Sequence, residues 1–386
     1  MTRILPVLFM LGLLSGCSSL GSLVSGEDNS EPPAPLEDLV DALPLKRIWS
    51  ADVGVGYNEQ FVRLVPAAQG EQLFVADRKG RVIALNISNG KRNWEARTKT
   101  AISAGPGTGE GLVLVGTSDA EVLALDAEDG SLLWTAFVSS EVLAVPRVDS
   151  GVVVVQTSDG KVAGLSVTDG QRLWIYDRSV PVLTLRGTST PAVERGLVVA
   201  GFANGKLAAL SSKNGMVAWE SSIAIPRGRS ELERMVDIDA DPVISGRTVY
   251  AATFQGRVVA LDIVSGDIIW QKDMSSYAGI GVDFAQLYVT DEGSNIWALS
   301  RELGASVWKQ DKLANRMVTG PEPVGSYIAV GDFEGYVHLL SRYDGHIVAR
   351  GLVDKKGVKA VPLALNDRLF VYGSGGVLAA FALPQE

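Results

Sequence analysis

Apolar and polar positions follow a pattern that returns roughly every 40 residues, the period of a repeat architecture. Apolar runs such as LFVAD, LVLVGT, VVVVQT and VYAATF lead into a small turn residue. The turn residues are Gly80, Ala120, Gly160, Gly205, Gly256, Ser294, Gly335 and Gly375. Five residues later stand Leu85, Leu125, Leu165, Leu210, Leu261, Leu299, Leu340 and Ala380. Five further on come Gly90, Gly130, Gly170, Gly215, Gly266, Gly304 and Gly345. Four more reach Trp94, Trp134, Trp174, Trp219, Trp270 and Trp308, with Ala349 in the seventh unit. The eighth unit starts at Gly375 and lacks this last stretch. Fourteen residues before the turn, Pro recurs at Pro66, Pro106, Pro146, Pro191, Pro242 and Pro321.

Short alternating or apolar runs between glycine turns read as strands, and Asp-Gly and Asn-Gly mark the hairpins, where Gly reaches positive φ without penalty. Four short antiparallel strands per unit is the signature of a propeller blade. Trp49 lies 45 residues before Trp94 and supplies the outer strand that the eighth unit lacks. The expected fold is therefore all-β: an eight-bladed β-propeller of four-stranded antiparallel blades, closed by the N-terminal strand pairing into the last blade. Ile48 to Pro384 is 337 residues, about 42 per blade, and seven blades would leave one unit unplaced. A Trp at the same place in blade after blade reads as a packing wedge rather than a ligand stacker. Ala349 should leave a gap unless a neighbour fills it, and Trp297 falls off the pattern.

Function is to be sought where the repeat is irregular. Trp94 to Pro106, Trp134 to Pro146 and Ala349 to Val361 are each 12 residues, with 10 from Trp270 to Ile280 and 13 from Trp308 to Pro321. Trp49 to Pro66 and Trp174 to Pro191 are 17, and Trp219 to Pro242 is 23. Each interval joins one blade's outer strand to the next blade's inner strand, so the two consecutive long ones should stand side by side on one face. The first of that pair carries Leu183, Leu185 and Arg186; the second carries Arg227, Arg229, Glu231, Glu233, Arg234, Asp237 and Asp239. Apolar anchors beside Arg and carboxylates are the ingredients of a protein-binding hot spot. The plainer alternative has the leucines tucked under the loop and the charges solvated.

The amino terminus adds an address. Arg3 precedes an apolar run from Ile4 to Leu14, too short for a spanning helix but suited to a secretory signal. It ends in Leu14-Ser15-Gly16-Cys17, which resembles the bacterial lipobox, and Cys17 is the only Cys in the chain. The expected organisation is a signal peptide over 1–16, a lipidated Cys17 with a Ser-, Pro- and acid-rich tether over 17–46, and the propeller over 47–386. Leu36, Leu39, Val40 and Leu43 suit one or two amphipathic turns, transient or docked on the body. Ser18 and Ser19, with no Asp in second place, imply by the same resemblance sorting to the outer membrane.

Composition narrows the chemistry. A net charge of −9 argues against general nucleic-acid binding. A single Cys excludes an intramolecular disulfide and a Cys-rich zinc site, and two histidines, His338 and His346, do not make a His-rich metal centre. Asp237, Asp239 and Asp241 alternate as in a calcium loop, but the Gly and the twelfth-position Glu are missing. There is no GxSxG, and nothing assembles a nucleophilic triad.

The unit running from Thr157-Ser158-Asp159-Gly160 to Trp174 resembles the pyrroloquinoline-quinone enzyme repeat, which enzymes and non-enzymes share. A lipobox ahead of eight such repeats, with LTLRG and VDIDADP in the two long loops, resembles the lipoprotein family of the outer-membrane β-barrel assembly (Bam) machinery over the whole chain. That resemblance implies a non-enzymatic scaffold with no cofactor or metal, lipid-anchored on the periplasmic face of the outer membrane. It implies contact with a periplasmic POTRA domain of BamA through Leu183, Leu185, Arg186, Asp237 and Asp239. Through BamA it implies contact with the other Bam subunits, and it extends to delivery of unfolded barrel clients. The competing reading is a quinone-dependent dehydrogenase; such enzymes usually add a calcium site, a catalytic Asp and often adjacent cysteines.

Overall fold

The computed structural model describes residues 31–177, 188–224, 229–230 and 236–384. Eight antiparallel sheets follow one another along the chain. Blade 1 consists of strands Ala67–Gln69, Gln72–Ala76, Arg81–Asn86 and Arg92–Arg97, ordered from inside to outside. Blades 2 to 7 repeat this arrangement over 102–137, 147–177, 192–222, 243–273, 280–310 and 322–352. Blade 8 takes Leu363–Leu365, Arg368–Tyr372 and Val377–Ala382 from one end of the chain and Lys46–Asp52 from the other, paired antiparallel with Trp49 opposite Ala380. The expected eight blades and the closing strand are both present.

Burial follows position within the blade. The second and third strands are covered on both faces by neighbouring blades, so Val152–Gln156 is buried throughout and reads as a continuous apolar run. Outer strands such as Leu132–Phe137 bury only alternate residues. In each of the first seven blades the ladder slips just ahead of the Trp or Ala position. This bulge turns the preceding residue outward, leaving Leu133, Leu173, Ile269 and Val307 about half exposed.

The tryptophans are wedges between blades. Each indole N–H donates to a carbonyl three residues before the turn glycine of the next blade. The acceptors of Trp49, Trp94, Trp134, Trp174, Trp219, Trp270 and Trp308 are Ile87, Ala127, Val167, Ser212, Ile263, Arg301 and Arg342, at 2.7–3.1 Å. The rings lie flat on those glycines, where φ is +67° to +76° and a Cβ would sit 2.5–2.7 Å from the ring. Gly is thus required twice at one position, for its backbone and for its bareness.

This stacking explains Ala349. Its Trp would have to rest on a hairpin between the third and fourth strands of blade 8, and no such hairpin exists because the fourth strand comes from 46–52. Leu43 and Leu45 pack instead on the cluster containing Ala349 and Phe381. Trp297 has its own anchor: its N–H donates to Asp291 Oδ2 at 2.8 Å, and Lys309 lies 5.2 Å from its ring centroid.

Residues 34–45 form a strap along blades 6 and 7. Ala34 N donates to Ala314 O and Leu43 N to Val348 O. Leu36 and Leu39 pack on the cluster around Trp308. A buried polar group holds the strap. Arg316, 2% exposed, binds Asp332 through Nε and Nη2 and donates to Ala34 O through Nη1. His338 is fully buried and lies 3.1 Å from the same Asp332 oxygen, while Arg350 donates to His338 Nδ1 and to Glu37 O. With Nδ1 accepting, Nε2 carries the hydrogen toward Asp332. Burial holds the imidazole below its usual pKa, against the pull of Asp332. His338 is therefore a structural residue, and His346 is exposed beside its turn.

Candidate functional site: the junction of the long loops

The described ends of the three oversized connections meet. The first, between Asp52 and Ala67, is folded down onto the blades it joins. Val53 N donates to Gly376 O and Tyr57 N to Ser374 O, while Arg78 N donates to Gly56 O. Gly56 has φ +60°, and a Cβ there would collide with the Ser374 carbonyl at 2.3 Å. Tyr57 is buried and its hydroxyl donates to Leu64 O at 2.7 Å. Burial pushes this phenol far above its ordinary pKa, so it stays a donor. The loop then crosses to blade 2, where Arg63–Leu64 adds a short parallel strand opposite Ala104 and Gly105.

From that fixed base Arg63 reaches both other loops. Its Nη1 donates to Thr188 O at 2.9 Å, at the end of the loop leaving blade 3. Its Nη2 pairs with Asp241 Oδ1 at 2.8 Å, at the end of the loop leaving blade 4. Thr190 N donates to the same Asp241 oxygen at 2.6 Å, and Val145 N donates to Thr190 Oγ1. The two consecutive loops therefore end side by side.

The acidic stretch is built by alternation. Val236, Ile238 and Ala240 are buried, the last two in the seams on either side of blade 5. Asp237 is also buried, at 4% exposure, and its carbonyl accepts from Phe254 N. Asp239 is half-buried with no hydrogen bond to Oδ1 among the described residues. Burial raises its pKa to about 6, with Arg63 pulling it down and Asp241 pushing it up. Asp241 is engaged by arginine, and among the described residues no group of three or more His, Cys, Asp or Glu is placed to hold a metal ion. Arg147, on the inner strand of blade 3, is exposed.

Of the candidate residues, Leu183, Leu185 and Arg186 lie outside the described residues, as do Arg227, Glu231, Glu233 and Arg234. Asp237 and Asp239 sit together on the described end of their loop, with Asp237 turned inward. Sequence reasoning missed Arg63. The signal available was length, since its loop matches the 17-residue interval of the loop leaving blade 3.

Comparison with known proteins bears on this geometry. The family profile described as outer membrane protein assembly factor BamB matches residues 39–101 and 78–310. The outer membrane protein assembly factor BamB of Pseudomonas aeruginosa is 46% identical over 95% of both chains. That of Xanthomonas campestris is 35% identical over all of this chain and 98% of its own. The crystal structure of BamB from Moraxella catarrhalis superposes with a TM-score of 0.80 at 26% identity, over 88% of this chain and all of that one. A quinohemoprotein alcohol dehydrogenase from Comamonas testosteroni reaches a TM-score of 0.72 at 13% identity, over 89% of this chain and 78% of that one; this likeness is one of fold alone.

Proposed function

The chain belongs to the BamB family of outer membrane protein assembly factors, and from that membership we propose that it is a non-enzymatic scaffold of the Bam complex. Its three long loops form the docking face for the periplasmic POTRA region of BamA, and through BamA it joins the other subunits. Leu183, Leu185 and Arg186 supply the apolar and cationic contacts. Asp239 contributes from the rim of the junction, and Asp237, being buried, acts by holding its loop in shape. The observation that carries this reading is the convergence of the described ends of all three irregular connections at Arg63 and Asp241. Residues 1–16 are a secretory signal, and Cys17 carries the lipid that holds the disc on the periplasmic face of the outer membrane. More than one acyl chain is needed for such durable anchoring.

Unfolded β-barrel clients have a second place to touch. Outer strands of blades 2 and 3 expose Leu132, Leu133, Phe137, Leu173 and Ile175 at a free sheet edge, chemistry that suits an extended amphipathic segment.

The docking face is tested by pull-down of BamA. Arg186→Ala, and Leu183→Ala with Leu185→Ala, should each weaken recovery of BamA with the β-sheet circular dichroism unchanged. Full recovery with both proteins would remove the site.

A further inference from the structure

We infer that Arg63 is a positioning residue for the partner-binding loops, a clip that fixes the ends of both loops against the connection that closes the ring. This rests on the docking face proposed above and deepens it. Three observations carry it. First, the base of Arg63 is packed and hydrogen-bonded: Leu64 is fully buried, its carbonyl accepts from Tyr57, and the strand pairs with Ala104 and Gly105. Second, one guanidinium serves two loops, through Thr188 O and Asp241 Oδ1, residues 125 and 178 positions away in sequence. Third, Asp241 Oδ1 also receives Thr190 N, so a single oxygen joins the loop leaving blade 3 to the loop leaving blade 4.

The clip is nearly irrelevant to the ring itself. The Arg63 and Asp241 side chains are 28% and 35% exposed, and pairs this open to water contribute little to global stability. Seven of the eight blade seams already carry a Trp wedge, and the seam between blades 7 and 8 is filled by Leu43 and Leu45. What Arg63 adds is relative placement of two segments that the repeat does not otherwise relate. Holding a binding surface in its bound geometry lowers the ordering cost at the moment of association.

The test uses the full-length lipidated protein in detergent and the purified BamA periplasmic region as probe. Arg63→Ala should weaken binding about tenfold, the worth of a charge-assisted hydrogen bond lost at the junction. The melting temperature should stay within about 2 °C of the parent, as expected for an open ion pair. Amide exchange at Thr190 should quicken. Arg63→Lys, which keeps the charge but not the fork, should recover part of the affinity. Asp241→Ala should cost less in the Arg63→Ala background than in the parent, because the shared pair is already lost there. Loss of binding in the Arg186→Ala protein with none in Arg63→Ala would overturn this proposal alone. So would a loss of affinity in Arg63→Ala that is accompanied by a large fall in melting temperature. Unchanged binding in Arg186→Ala and in Leu183→Ala with Leu185→Ala would overturn the docking face and this proposal with it.

Discussion

At the scale of single residues, burial and the partners it brings decide whether a side chain is inert framework or a poised group. Trp134 is 8% exposed, stacks on Gly170 and donates to Val167 O. Trp134→Ala should lower stability by ~3–5 kcal/mol, as for large buried aromatics; chemical denaturation checks it, and BamA binding should survive where the protein remains folded. Asp239 is the opposite case. Its pKa is raised from 3.8 to about 6 by burial first, with the Asp241 charge adding to it and Arg63 opposing. The folded state therefore disfavours its ionisation, and the penalty grows as pH rises from about 4 through 6. Asp239→Asn should raise stability at pH 7.5 by on the order of 2–3 kcal/mol and leave it unchanged at pH 4. Denaturation midpoints at the two pH values read this directly. A gain in stability combined with weaker BamA binding would mark Asp239 as a group kept for recognition at the expense of the fold.

At the scale of elements, legibility tracked repetition. The Trp, the turn glycine and the apolar run recur because each blade solves the same packing problem, so eight instances announce the solution together. Ala349 could be flagged from sequence, but its reason could not. The reason is that Trp wedges rest on the following blade's hairpin, and blade 8 borrows its outer strand instead. Leu43 and Leu45 fill the place from a stretch whose Pro and acid content reads as a tether, although Leu43 is among the positions suited to a turn, transient or docked on the body. The strap's polar anchor was equally hidden. Asp332 stands where Asp77 and Asp291 stand in their blades and caps its turn as they do, but the Arg316, His338 and Arg350 around it do not recur, and the group meets only when blade 7 folds against residues 34–37. The loops were visible by their length, which is a one-dimensional property. The Arg63–Asp241 pair was not, because 178 residues separate two partners that share no pattern.

At the scale of the whole molecule, the eight blades close by pairing a strand near one end of the described chain with a strand near the other. Cys17→Ser should release the protein from the membrane into the soluble periplasmic fraction; retention in the membrane pellet after a high-salt wash would argue against the lipid anchor. Ring closure has a further consequence, for the order of assembly. Lys46–Asp52 must find Val377–Ala382, and Trp49 must seat against Phe370 on one side and Gly90 on the other. A chain threaded outward from its amino-terminal end presents one half of this clasp first and the other half last. Seven blades can be laid down while the arc stays unfastened, so the vulnerable interval lasts as long as delivery of the final strand, and a nascent copy halted before Val377 is left with a raw seam along Lys46–Asp52.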